Sequence, residues 1–195
     1  MPGVRYTRGT GASGFEGGGP WGNHGFPHAM NLAEAAASAD TLAREGAERE
    51  LAELRARWSD EVEAAARAAD FRVRAGAYRS VGQFRFRQKV QLLRRGLEDE
   101  SPACRGSALL SLELLSRDHP GDVNGVRPLL HELASHDPNA AVRRLSILCL
   151  KNGSPQRDTV VLLGGLATDE ENDRELRTTA RTVAAALTQR SRNSP

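Results

Sequence analysis

The chain is short of cysteine, with two in 195 residues. Two cysteines build no disulfide framework, and their scarcity fits a reducing compartment. No apolar run approaches the roughly 18 residues that a membrane-spanning helix needs, so membrane insertion is not expected. The N-terminus has no apolar signal-peptide core. Its first 30 residues are glycine-rich, not arginine-rich and amphipathic, so no transit peptide is expected either. These absences point to an intracellular protein, cytoplasmic first, with an organelle left open. No Cys-His pair, Ser-His-Asp set or paired-carboxylate motif is legible. The expectation is therefore a non-enzyme with no cofactor, no metal and no evident small-molecule substrate.

Acidic residues are missing from one stretch in particular. From Phe71 to Leu97 there are eight basic residues and no acidic one. The whole chain has 27 basic and 25 acidic side chains, which leaves the remainder net acidic. The pattern FRVRAGAYRSVGQFRFRQKVQLLRRGL interleaves arginine with aromatics. Such a pattern can meet phosphates and stack on bases. It can equally meet an acidic protein surface, since arginine is enriched at protein interfaces. The candidate basic face is Arg72, Arg74, Arg79, Arg85, Arg87 and Lys89. Protein contact is its leading reading, RNA the alternative, and a solvated helical face the bland one. Phe71/Val73/Ala75 and Phe84/Phe86 alternate as in a strand, whereas Phe86, Val90, Leu93 and Leu97 follow helical spacing. The reading is a helix ending near Ala77, a turn at Ser80–Gly82 and a new helix from Gln83.

Residues 1–31 form a glycine-rich arm with nine of the 19 glycines. Glycine loses the most entropy on ordering, and no apolar period offsets that loss, so the arm is expected to be disordered alone. It nevertheless carries Tyr6, Phe15, Trp21 and Phe26, spaced like anchors for pockets on a partner. Packing on its own body is the alternative. Gly9-Thr10-Gly11-Ala12-Ser13-Gly14 matches a dinucleotide fingerprint, but Phe15 to Pro20 cannot open the helix that such a loop requires. His24 and His28 are separated by Gly25 and Pro27, so they present no common helical face.

Residues 32–82 are read as a long amphipathic helix and a basic connector. Asp40 is a candidate N-cap for a helix over about 40–70. Leu42, Leu51, Leu54, Trp58, Val62, Ala65 and Ala69 form its stripe. Residues 83–190 show paired helical segments, at 83–97 and 101–116, 122–135 and 139–151, and 156–168 and 173–189. Corresponding apolar positions recur at 34 to 38 residues. Ser101 and Asn139 are candidate caps, and Cys104 and Cys149 fall on core positions. Residues 191–195 are a tail.

The paired segments share the string Asp-x-x-x-x-(Val/Cys)-Arg, as Asp99 to Cys104-Arg105 and Asp137 to Val142-Arg143. In the third unit Glu171 and Leu176-Arg177 replace it. This resembles HEAT repeats of the short, degenerate HEAT-like type. Armadillo repeats are the near alternative, but they need a third helix per unit. The resemblance covers about 105 residues, spanning three units of that period. It implies an all-α fold, a short α-solenoid of three hairpins preceded by the long helix and the arm. It also implies an inter-repeat polar ladder, falling here on Asp99, Arg105, Asp137, Arg143 and Arg177. Such folds serve as binding surfaces, so the expected function is a scaffold or adaptor subunit with protein partners in a larger assembly. An RNA-associated subunit, seated for example on ribosomal RNA, is the alternative. A bilin-lyase-like enzyme subunit is a more remote one.

Overall fold

The computed structural model describes residues 30–193. These residues are all-helical, in a solenoid-like succession of ten α-helices. Helix α1 spans Leu32–Glu45. Asn31 caps it: its Oδ1 accepts from Glu34 N at 3.1 Å, and Glu34 Oε2 accepts in return from Asn31 N at 2.9 Å. This reciprocal capping box satisfies two amide donors that the first turn leaves free. The helix stops at Gly46, whose φ of 72° lies in the left-handed region that only glycine enters without strain. Helix α2 follows over Glu48–Ala65. The single helix starting at Asp40 is therefore two helices, and Gly46 is the reason. Asp40 lies inside α1 and accepts from Arg85 at 3.0 Å.

Helix α3 covers Phe71–Gln83, capped by Asp70, whose Oδ1 accepts from Arg72 N at 2.8 Å. The alternating Phe71, Val73 and Ala75 are thus helical, and the turn falls at residues 84–86 instead of 80–82, taking in Phe84 and Phe86. Phe84 and Phe86 decide this. Both rings are fully buried, 5.1 Å apart at their centroids. Turning the chain between them places both in the core. Arg85, between the two, has φ 55°, and Phe86 N donates to Val81 O at 3.0 Å to close the helix end. A left-handed residue in this position is normally glycine. Arg85 is held there by its own guanidinium, which donates to Gly82 O at 2.6 Å and to Asp40.

A single 3-10 turn at Arg87–Lys89 leads into α4, Val90–Leu97. Helix α5 is Pro102–Ser116, the short α6 Pro120–Asn124, α7 Arg127–His136 and α8 Ala140–Leu150. Helices α9, Arg157–Thr168, and α10, Arg174–Asn193, complete the chain. The segment read as one helix over 122–135 is divided at Gly125. Pro128 has no N–H to continue the ladder of α6, but it fits the first turn of α7. Asn139 caps α8 through its side chain. Ser101 makes no such bond, and Pro102 occupies the first turn of α5 instead.

Helices α4 and α5, α7 and α8, and α9 and α10 pair as antiparallel hairpins, and the second helices α3, α5, α8 and α10 pack in succession. Leu93, Leu97, Leu109, Leu112, Leu130, Ile147, Leu150, Leu163 and Leu176 fill the interior. Cys104 and Cys149 are buried among them. Cys149 Sγ donates to Leu109 O at 3.2 Å, and burial pushes its thiol well above the ordinary range. No helix among the described residues is long and apolar enough to cross a membrane.

The α3–α5 contact is the tightest in this succession. Gly82 N donates to Ser111 Oγ at 3.1 Å, and Ser111 Oγ donates to Tyr78 O at 2.7 Å. A Cβ on Gly82 would stand 2.8 Å from Ser111 Cα, a backbone atom that cannot step aside. A Cβ on Gly76, two turns earlier on α3, would meet nothing within 4 Å. Gly82→Ala should therefore lower stability by about 1–3 kcal/mol through overpacking. Gly76→Ala should raise it by about 0.5–1 kcal/mol by removing a flexible residue from a helix interior. Urea denaturation of the two variants beside the parent chain checks both signs.

Candidate interaction surface

Three arginines stand near the starts of consecutive second helices and do the same work. Arg74 of α3 grips Asp99 with both arms of its fork, Nε to Oδ2 at 2.8 Å and Nη2 to Oδ1 at 3.0 Å. Its Nη1 donates to Ala68 O at 3.0 Å and Ala69 O at 2.8 Å. Arg105 of α5 grips Asp137 in the same way, at 2.6 and 3.0 Å. Its Nη1 donates to Asp99 O at 2.9 Å and Glu100 O at 3.0 Å. Arg143 of α8 donates to Ala134 O at 3.0 Å and to Asn172 Oδ1 at 2.7 Å.

Each guanidinium thus caps the carbonyl end of the stretch before its own helix and reaches a side chain in the corresponding turn of the next hairpin. The aspartates also order their own turns. Asp99 accepts from Ser101 N at 2.9 Å, and Asp137 from Asn139 N at 2.8 Å. The planar fork, always charged, is the group that can do both tasks at once.

This arrangement departs from the sequence expectation at two places. Arg74 belongs to the ladder instead of the basic face. It escapes notice in the sequence because its partner lies 25 residues downstream and no acid stands six residues before it. In the third rung Asn172, not Glu171, receives the arginine, and Arg177 takes no part. Asn172 is buried and anchored by its own Nδ2, which donates to Leu166 O at 3.1 Å. A neutral amide there avoids burying a charge that one arm of Arg143 would only half satisfy.

The basic stretch does not form one face. Lys89 is buried, its Nζ 2.5 Å from Glu63 Oε1, and this ammonium holds the Glu63 carboxyl below its ordinary value. Arg85 is turned onto Asp40 and the end of α3. Arg87 is half-exposed, with Asp122 at 3.9 Å. Burial of Phe84 and Phe86 draws Arg85 between them inward, where it finds a carboxylate and carbonyls, and leaves Arg87 at the surface. Arg72 and Arg79 are the members of the set that remain exposed on α3. Tyr6, Phe15, Trp21 and Phe26 lie outside the described residues.

Two clefts take in residues of the basic stretch. One, of about 620 Å³, is lined by Arg55, Arg85, Arg87 and Arg117 together with Glu48 and Asp118. Its cations are already answered. Arg55 donates to Phe84 O at 2.6 Å and contacts Glu48 at 3.4 Å, and Arg117 pairs with Glu113 at 2.8 Å. The other, of about 400 Å³, lies between α1 and α3. Leu32, Ala36, Val73 and Gly76 form its apolar floor, and Arg72 and Arg79 stand along one side. A third groove, between α8 and α10, is bridged by Arg144 and Glu175.

A polar cluster that the sequence reading missed ties α7 to α9. The buried Arg127 donates to Thr159 Oγ1 at 2.9 Å, to Ser154 O at 3.0 Å and to Asn124 Oδ1. His131 Nε2 shares Thr159 Oγ1 at 2.9 Å, and burial lowers its pKa, so the ring stays neutral at pH 7. These acceptors are all neutral oxygens, and the nearby Asp158 offers charge without a bond to Arg127. No group of three His, Cys, Asp or Glu side chains suited to a metal occurs among the described residues.

The ladder generates two predictions. Asp137→Ala leaves the largely buried Arg105 guanidinium with only its two backbone acceptors and should cost about 3 kcal/mol, the low end for a broken buried pair. The double variant Arg105→Met/Asp137→Ala should cost clearly less than the sum of the singles, because the groups act as one unit. Chemical denaturation of the three variants tests the coupling. The pH response follows from Asp99, whose carboxyl the Arg74 guanidinium holds below its ordinary value. The stability it contributes is complete above the unfolded-state pKa near 3.9 and is lost as pH falls through the lower folded value. Asp99→Asn should therefore lower the melting temperature at pH 7 and flatten its fall between about pH 4 and pH 2, as read by thermal melts across that range. No protein-family model matches the chain, and no curated protein matches it.

Proposed function

We propose that the chain is a non-catalytic scaffold or adaptor subunit of the HEAT-like kind, binding other proteins through its helical surface. The observation that carries this reading is the fate of the basic stretch. Arg74, Arg85 and Lys89 are engaged with Asp99, Asp40 and Glu63, so they stabilise the fold and are not offered to a ligand. A surface that binds RNA needs an uncompensated run of cations along a phosphate backbone. What remains open on α3 is a mixed surface, with exposed Phe71 and Val73 beside Arg72 and Arg79. Apolar area with a few arginines at its edge suits a protein partner. The ladder supports the same reading, since it holds successive hairpins at fixed spacing and so keeps an extended surface rigid.

Fluorescence anisotropy with labelled single-stranded and duplex RNA, at low and near-physiological salt, tests this directly. Binding should be no tighter than about 1 µM at physiological salt, the non-specific range for nucleic acids. In parallel, protein partners recovered with the full chain should persist through a wash at about 0.5 M salt, where screening shortens to a few ångströms. Tight RNA binding that falls steeply with salt would make the chain a nucleic-acid subunit.

A further inference from the structure

We infer that the groove between α1 and α3 is a docking site for an acidic amphipathic helix of a partner protein. This rests on the scaffold reading above and names the partner's chemistry. Arg72, Gly76, Arg79 and Gln83 follow one another at spacings of four, three and four, so they form one stripe along α3. The two positions are about 10 Å apart along the helix axis, two helical turns. Between them the surface is apolar. Val73 is 45% exposed, and Leu32 and Ala36 face it from α1.

No carboxylate lines the groove. Two carboxylates neighbour it in sequence, and both are engaged in capping. Asp70 accepts the amide of Arg72 and lies 4.0 Å from its guanidinium. Glu34 is folded back onto Asn31 N. Arg72 is 78% exposed and lies over the Phe71 ring at 4.9 Å, which holds it upright at the rim without neutralising it. Arg79 has no ion pair among the described residues.

The missing side chain at Gly76 sets the shape. With nothing within 4 Å of its would-be Cβ, it opens the middle of the groove, where another backbone can approach closely. Elsewhere on α3 the small residue Gly82 serves packing against α5, whereas Gly76 serves no contact inside the fold. The complement is a helix with an apolar residue seated over Gly76 and a carboxylate one turn away on each side, about seven residues apart. An extended peptide is the poorer fit, because strand addition needs a sheet edge and none exists among the described residues. Helix-in-groove recognition needs only this apolar trough and its charged rim.

The test is a phage-displayed library of helical peptides, randomised over one face, selected on the full chain. Enriched peptides should carry paired acidic residues about seven apart, flanking an apolar residue. Gly76→Gln fills the groove from an exposed position whose Cβ meets nothing within 4 Å. It should melt no lower than the parent, yet weaken the selected peptides at least about tenfold. Arg72→Glu/Arg79→Glu should lose these peptides and bind their Glu→Lys versions instead, which a merely damaged surface would not do. Enriched peptides without paired acids, or equal binding to the Gly76→Gln chain, would overturn the proposal. So would a self-association that Gly76→Gln abolishes, which would make a second copy the occupant. Peptide binding about tenfold tighter to a chain lacking residues 1–29 would make the chain's own N-terminal segment the occupant, with the same consequence. The scaffold reading would survive each of these results, and it fails separately on tight RNA binding.

Discussion

One interaction organises the array: an arginine fork that ends one stretch of helix and grips the turn of the next hairpin. A helix C-terminus leaves carbonyls unanswered, and burying them against a neighbour costs free energy unless a donor arrives. Arg74, Arg105 and Arg143 supply that donor, each from a turn or so into its own second helix. The remaining arm of each fork then has to be satisfied. Asp99, Asp137 and Asn172 do this from the following hairpin. The same group therefore closes a local helix end and fixes the spacing between hairpins. Because the aspartates also accept from backbone amides two residues on, turn geometry and inter-hairpin geometry are coupled.

Charge is used inside this molecule more than its composition suggests. The basic stretch is the most obvious feature of the sequence, yet much of it is compensated by carboxylates from α1, α2 and the turn before α5. Partly buried pairs of this kind add little net stability compared with apolar packing, but they penalise arrangements that leave one partner alone. They act as specificity devices for the order in which helices stack. What is left at the surface is Arg72 and Arg79 on α3, bordering an apolar trough, with Arg87, Arg94 and Arg95 further along the stretch. A trough of that kind persists because Gly76 leaves it open, while Gly82 on the same helix is consumed by contact with α5.

Parts of the fold and of the candidate surface were legible in the residues. The second-helix boundaries followed from apolar spacing and from the cap at Asn139. Cys104 and Cys149 could be placed in the core by position alone. Asp99, Arg105, Asp137 and Arg143 could be singled out by their shared string. The groove was not legible. Its walls come from α1 and α3, some 40 residues apart, and its depth comes from a side chain that is absent. Nor was the break at Gly46 legible, because the apolar stripe continues across it while the helix does not.

Local physics decided which residues are helical and which turn: periodicity, capping groups, proline without an amide proton, and glycine free to enter positive φ. These depend on neighbours within a few residues, so the sequence by itself determined the all-α class and the limits of α5, α8 and α9. Partner choice for charged groups is a different matter. An arginine finds its acceptor by position in space, at separations of 25 residues for Arg74 and 32 for Arg105. Only the tertiary structure decided that Arg74 stabilises the ladder, that Lys89 is buried on Glu63, and that Arg72, Arg79, Arg87, Arg94 and Arg95 stay at the surface. The physical reason is that desolvation and ion pairing are set by what folding brings close, and chain order does not encode that distance.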